Sequence, residues 1–293
     1  MSSRLETLQV ARLAANQLGD ASAAVAAFLS SQFHQDGGAV DRAGNSDLYY
    51  TVFALEGLMA LQVELPVSTT MPFLASFGNG ADLDLVHRAC LARCWASMPK
   101  NSLDSDRAAA IATGIESYRA DDGGFAATAQ SPHGTAYHAF LAHGAYQDLN
   151  IPCPDRAGLG ESLLSLTTKD GGFANTAGLP FGTTTVTAAA VSLLRHLDRP
   201  APSGVGNWIL AQAHPEGGFR ANPQAPMPDL LSTATALHAL DGLQVDYKVL
   251  REHCLDFVDS LWTGKAFCGH WADDAQDSEY TYYALLALGH LSL

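Results

Sequence analysis

Asp229-Leu230-Leu231-Ser232-Thr233-Ala234-Thr235-Ala236-Leu237 has two close copies in the same chain, Asp47-Leu48-Tyr49-Tyr50-Thr51-Val52-Phe53-Ala54-Leu55 and Asp277-Ser278-Glu279-Tyr280-Thr281-Tyr282-Tyr283-Ala284-Leu285. The shared pattern, Asp-x-x-x-Thr-x-x-Ala-Leu, reads as a helix opened by a carboxylate. An Asp just before the first turn satisfies orphan N–H groups and suits the positive end of the helix dipole. Asp84-Leu85-Val86-His87-Arg88 begins a weaker copy, and His133 and Gly182 mark the equivalent starts of two more. Starts at 47, 84, 133, 182, 229 and 277 are separated by 37, 49, 49, 47 and 48 residues. A period of this length holds two helices of roughly 12 to 16 residues and two loops, so each unit is a helical hairpin.

Double-glycine turns precede these helices: Asp36-Gly37-Gly38, Asp122-Gly123-Gly124-Phe125, Asp170-Gly171-Gly172-Phe173 and Glu216-Gly217-Gly218-Phe219, with Cys268-Gly269-His270-Trp271 as a degenerate copy. Glycine permits the positive φ a reversal needs, and the Phe or Trp that follows is an expected buried anchor. The second helix of each unit is apolar almost all round, as in Ala188 to Leu194. The first is more amphipathic, as in the stretch from Asp246 to Trp262. The second helices should therefore form an inner ring. Six hairpins in a circle bury that ring on both sides without capping repeats, whereas an open solenoid, the alternative, would expose its ends. The expected fold is all-α, a six-hairpin α/α toroid (α6/α6 barrel) in one domain, with residues 1–19 as an N-terminal helix and 20–293 as the six hairpins.

Composition agrees. Of 293 residues 47% are apolar and only 16% charged, enough for one large core and too few charges for extended disorder. A net charge of -14 with no basic run excludes a polyanion such as nucleic acid as a partner. No segment reaches the roughly 18 uncharged apolar residues of a membrane span, and the charged opening lacks a signal-peptide core, so the expected location is cytoplasmic. The five cysteines are odd in number and without CxxC spacing, which points to buried thiols rather than disulfides.

The turn, the Asp-capped helix and the six-fold count resemble the prenyltransferase and squalene oxidase repeat family, over roughly residues 20 to 293. Ser131-Pro132-His133-Gly134-Thr135-Ala136-Tyr137 is similar to a segment of protein prenyltransferase β-subunits and favours that branch over the terpene cyclases. The resemblance implies an isoprenoid diphosphate or other lipid in a central apolar cavity, and a helical-repeat partner subunit of the α-subunit kind. It also locates a catalytic zinc. The position matching the DxC element is Asp229-Leu230-Leu231, with leucine for the thiolate, and the position matching the zinc histidine is Tyr280. Two of three ligands are replaced, and zinc needs about three good donors, so no metal or other cofactor is expected. The diphosphate-binding basic stretch is reduced to Arg220. The acid motif of the cyclase branch is also absent: Asp82-Leu83-Asp84 and Asp273 to Asp277 do not match it.

Asp229 and Tyr280 are the catalytic candidates on this reading. Tyr50, Arg88, His133, Tyr137 and Arg220 are the substrate-binding ones, and Tyr50 and Tyr280 are the preferred cavity residues among Tyr49, Phe53, Trp95, Phe140, Tyr282 and Tyr283. Arg88 and Arg93 are candidates for an anion, because charge on an enclosed ring is costly without a partner. Two functions stay open: a divergent prenyltransferase-like transferase, and a noncatalytic toroid that holds a lipid or a protein partner. A glycosidase-like barrel using Asp273, Asp274 and Asp277 is a third, opposed by the apolar inner helices.

Overall fold

A computed structural model describes residues 2–293. The chain opens with α1 (Ser3–Ala11) and the short α2 (Ala15–Leu18). Six hairpins follow. Their first helices are α3 (Ala21–Ser31), α5 (Val67–Ser76), α7 (Ser105–Glu116), α9 (Arg156–Leu164), α11 (Val205–Leu210) and α13 (Arg251–Ser260). Their second helices are α4 (Leu48–Ala60), α6 (Leu85–Ser97), α8 (Ala136–Asp148), α10 (Thr184–His196), α12 (Leu230–Gly242) and α14 (Ser278–His290). The second helices pack in sequence, each on the next, and α14 returns to α4. The ring closes, and the first helices lie outside it.

The caps explain where the inner helices begin. Asp47, Asp84, Asp229 and Asp277 accept backbone N–H groups of their own first turns, as at Ser232, 2.7 Å from Asp229 Oδ1. In units three and four the preceding residue is Thr135 or Thr183 rather than His133 or Gly182. Gly134 and Gly182 are instead used to bring the chain against the glycine turn of the same unit, where a Cβ would overlap the Gly124 or Gly172 backbone.

The threonine of the repeat ties the two signatures together. Thr51, Thr187 and Thr233 are fully buried and accept the N–H of Ala39, Phe173 and Phe219, the residues that follow the glycines, at 2.8, 2.9 and 2.9 Å. Thr51 and Thr233 also donate to their own cap carbonyls, so one hydroxyl satisfies two buried backbone groups. The turn aspartate does similar work: Asp122 accepts from Gly124 and from Gly134, twelve residues on. In the sixth unit the register differs from expectation. Phe267, bridged to Trp262, occupies the anchor position, while Trp271 is 42% exposed. The other departures from an all-helical chain are two antiparallel pairs of two-residue strands, β1 (Ala39–Val40) with β2 (Ser46–Asp47) and β3 (Phe219–Arg220) with β4 (Pro228–Asp229). None of the described helices is long and apolar enough to cross a membrane. All five cysteines are free, and only Cys153 is not buried.

α1 belongs to neither ring. It packs on α14, α4 and α8 at the C-terminal end of the inner helices and closes that end of the lumen. Arg4 donates to the Ala96 carbonyl at 2.7 Å and to Ser97 Oγ, and the Ser3 N–H reaches Gln147 Oε1 at 3.0 Å. Glu6 pairs with Arg195. Gly289 allows the approach, since any Cβ there would overlap the Val10 carbonyl.

Candidate functional site

Counting each cap as position 0, the Thr at position 4 and the Leu at position 8 face the outer ring. Successive residues turn by about 100°, so positions 2, 5, 6 and 9 point to the opposite side, into the lumen. The structure follows this phase. The lumen holds a cavity of about 230 Å³ lined by Tyr49, Tyr137, Thr185 and Leu231 at position 2, Phe53, Leu141, Ala189, Thr235 and Tyr283 at position 6, and Glu56, Arg93, Ser192, His238 and Leu286 at position 9. Phe140, Ala188 and Tyr282 from position 5, Val186 from position 3, and Ser3 and Thr7 of α1 complete it. A second hollow of about 50 Å³ shares Tyr49, Phe53, Arg93 and Phe140 and extends to Cys90 and Asp148.

The middle of this lumen is apolar and aromatic. Phe53 packs on Tyr49 at 4.9 Å between ring centroids, on Tyr283 at 5.4 Å and on Tyr282 at 5.8 Å. At the mouth, Tyr49 donates to Glu279 Oε1 at 2.6 Å. Burial raises the Glu279 carboxyl to about 6, against the opposing pull of the Tyr49 hydrogen bond. Asp47, Asp84, Asp229 and Asp277 stand around the same end of the ring. Their cationic partners are His87, 2.8 Å from Asp84 and 3.3 Å from Asp47, and Arg42, 2.7 Å from Asp277 and 3.0 Å from Asp273. The mouth is therefore acidic. At the floor Glu56, 1% exposed, accepts from Arg93 Nε at 2.7 Å and lies 3.5 Å from Arg4 Nε. Asp148 is 4.0 Å from Arg93, and burial raises its carboxyl to about 6.

Of the seven catalytic and substrate-binding candidates read from the sequence, Tyr137 alone lines the cavity, where burial raises its phenol to about 12; Arg93, the second anion candidate, lines it as well. Tyr50 and Tyr280 sit at position 3, roughly 100° from the position-2 direction, and turn toward the neighbouring hairpin. The Tyr50 carbonyl accepts from Ser278, and the Tyr280 ring lies on Gly269 and under Arg42 at 5.4 Å. Their neighbours Tyr49 and Glu279 occupy the lumen side. Arg88 replaces the threonine of position 4 and so points outward. It donates to the Ala81 and Leu83 carbonyls at 3.2 Å and covers the Tyr118 ring. His133 lies in the loop before α8 with its side chain 76% exposed, 3.6 Å from Asp122. Arg220 folds back on the Ala211 and Gln212 carbonyls. Asp229 is half-buried, and the partial loss of water raises its carboxyl. Both its oxygens are engaged by Ser232, through N–H and Oγ at 2.7 Å each. Glu56, Glu279 and the contribution of α1 were missed. The phase of Thr and Leu in the repeat was the signal available for the first two.

Leu231, matched in sequence to the family's zinc thiolate, projects into the lumen, whereas Tyr280, matched to its histidine, lies outside the cavity wall against Gly269. Among the described residues no group of three or more His, Cys, Asp and Glu side chains is arranged to hold a metal ion.

The fold has solved counterparts. The type II terpene cyclase MstE from Scytonema, in complex with its substrate geranylgeranyl dihydroxybenzoate, superposes with a TM-score of 0.64 at 14% identity, over 96% of this chain and 97% of that one. The protein geranylgeranyltransferase-I of Candida albicans, complexed with GGPP, gives a TM-score of 0.50 at 14% identity, over 97% of this chain and 85% of that one. No curated protein matches by sequence. The model of the prenyltransferase alpha-alpha toroid domain matches three stretches, residues 5–91, 91–180 and 184–292, which together span nearly the whole chain. The chain thus belongs to the prenyltransferase alpha-alpha toroid domain family.

Proposed function

We propose that the lumen binds an isoprenoid or similar apolar chain, and that binding rather than zinc-dependent transfer is the function of this toroid. The observation that carries the reading is the aromatic cavity itself, walled by Tyr49, Phe53, Phe140 and Tyr283 and open at one end. Such concave, mostly apolar sites with a few polar groups are the usual form of a small-molecule site.

Of the two ligands implied by the sequence, a diphosphate and a less charged lipid, the charges support the second. Arg88 and Arg220 are committed to backbone carbonyls outside the lumen, and five carboxylates stand at the mouth against Arg42 and His87. A diphosphate entering there meets like charge in a region of reduced dielectric. The catalytic alternatives find little support in the same residues. Asp229 alone does not make a zinc site, and zinc is not part of the proposal. Glu279, with a carboxyl that keeps its proton up to about pH 6, is too weak an acid to protonate an unactivated alkene.

The test is ligand-dependent unfolding. An isoprenoid of about ten carbons should raise the melting temperature, and the matching diphosphate should raise it less. A lumen that responds to no apolar chain, isoprenoid or fatty, would defeat the reading.

A further inference from the structure

The inner helices are all 13 residues long and start level with one another, so position 9 forms a single tier: Glu56, Arg93, Gly144, Ser192, His238 and Leu286. This tier is the floor of the lumen, with α1 beneath it. Three of the polar groups there lack partners. Arg93 spends its Nε on Glu56, and no hydrogen bond among the described residues engages its terminal amino groups. Tyr282 is 3% exposed. Its hydroxyl lies beside Thr7 and Glu56 but makes no hydrogen bond of normal geometry to either, and His238 Nε2 is likewise buried without a partner.

The histidine's role follows from its neighbour. His238 Nδ1 and His290 Nε2 are 3.1 Å apart, and burial pushes both rings toward the neutral form, His238 to about 4. One N–H bridges the two rings and a second is left over. If His238 supplies the bridge, the leftover N–H is His290 Nδ1, which is buried outside the cavity wall and beyond any ligand. If His290 supplies it, the leftover N–H is His238 Nε2, facing the lumen. Only the second arrangement lets an occupant satisfy the orphan donor, and buried N–H groups left unpaired are the rarer kind of orphan. The floor then presents three donors and calls for an acceptor.

Charge selects among acceptors. Arg4 and Arg93 are matched there by Glu56 and Asp148, so the floor carries no surplus positive charge for an anion. Volume selects the length. By proportion with the ~150 Å³ apolar cavity that takes the six carbons of benzene, the cavity of about 230 Å³ takes roughly nine, close to the ten of a two-unit isoprenoid.

Resting on the lumen-binding reading above, we propose that the floor formed by Arg93, His238 and Tyr282 receives the uncharged oxygen, alcohol or carbonyl, of a short isoprenoid bound oxygen-inward, its chain running up to Tyr49 and Tyr137. The probes are geraniol and citral, the hydrocarbon myrcene of the same carbon count, geranic acid and geranyl diphosphate, measured by calorimetry on the full chain. Geraniol and citral should bind at least tenfold more tightly than myrcene. Tyr282→Phe and His238→Leu should each remove most of that advantage, read as the ratio of geraniol to myrcene affinity within each variant. Bound citral should show its carbonyl stretch shifted to lower wavenumber by the donors, a shift that needs no variant to observe and that Tyr282→Phe should reduce. Equal affinity for myrcene and geraniol with an unshifted carbonyl would overturn the floor site and leave lumen binding standing. Tighter binding of geranic acid or the diphosphate would overturn the choice of an uncharged group. Failure of every probe, myrcene included, would overturn the lumen reading and the floor site together.

Discussion

Tyr49 donates its phenolic hydrogen to Glu279 across 2.6 Å, joining the second residue of the first inner helix to the second residue of the last. The two residues are 230 apart in sequence. The bond therefore spans the seam where the ring closes, and it does so beside the lumen.

Glu279 gives the seam a pH dependence. Its carboxyl is raised from the ordinary 4.5 to about 6, chiefly by burial. A raised acid contributes stability that is complete below the unfolded value and lost as pH rises through the folded one. Relative to Glu279→Gln, the wild type should lose up to about 2 kcal/mol between roughly pH 4.5 and 6, read from urea midpoints across that range. Parallel curves for the two proteins would contradict the assignment. Using the difference between the proteins cancels Asp148 and the buried histidines, which titrate in the same window.

Thr233 accepts the Phe219 N–H and donates to the Asp229 carbonyl. Thr233→Val keeps the shape and removes both bonds, stranding a buried donor at a cost of about 1–3 kcal/mol. Thr233→Ser should retain most of the stability. Chemical denaturation distinguishes the two, and equal losses would show that the methyl group rather than the hydroxyl matters.

The same substitution should act with opposite signs at two glycines of the inner ring. At Gly144 a Cβ meets nothing within 4 Å, so Gly144→Ala should stabilise by about 0.5–1 kcal/mol through helix propensity. At Gly289 a Cβ overlaps the Val10 carbonyl, so Gly289→Ala should displace α1 and destabilise. Protease sensitivity of residues 2–11, together with the melting temperature, reads both effects.

Arg4 meets Glu56 in the floor with side chains 7% and 2% exposed. Removing one partner of a buried pair costs about 3–5 kcal/mol. Arg4→Met should approach the lower end of that range, because Arg93 still holds Glu56. Unchanged stability would mean that α1 is held by its apolar contacts alone.

Ala189 stands halfway up the cavity wall. Ala189→Phe should fill the lumen and abolish any ligand-induced rise in melting temperature without unfolding the protein. For scale, a ligand at about 100 times its dissociation constant adds roughly 2.7 kcal/mol to the wild type.

The toroid was legible before any coordinates, because its cause is local and repeated. Each Asp cap, glycine turn and apolar helix acts within a few residues of itself, and six copies at a near-constant spacing leave few ways to bury the apolar helices. The phase of those helices about their own axes was not legible in the same way. Asp229, Tyr280 and Tyr50 looked like site residues because they begin inner helices, yet Tyr49 and Glu279, one residue earlier than the favoured tyrosines, hold the lumen side. That choice is made where the rings meet, by Thr51, Thr233 and their equivalents reaching for N–H groups of the preceding turns. Arg88 and Arg93 look alike in the chain and differ by five residues, or about 140°. That angle sends one into the wall beside Tyr118 and the other into the floor beside Glu56. The floor itself brings residue 4 to residue 56 and residue 6 to residue 195, and no periodicity encodes that meeting. Local hydrogen bonding and hydrophobic pattern thus define the repeat. The contents of the lumen depend on helix rotation and on α1, whose docking surface is assembled from α4, α8 and α14 of the closed ring.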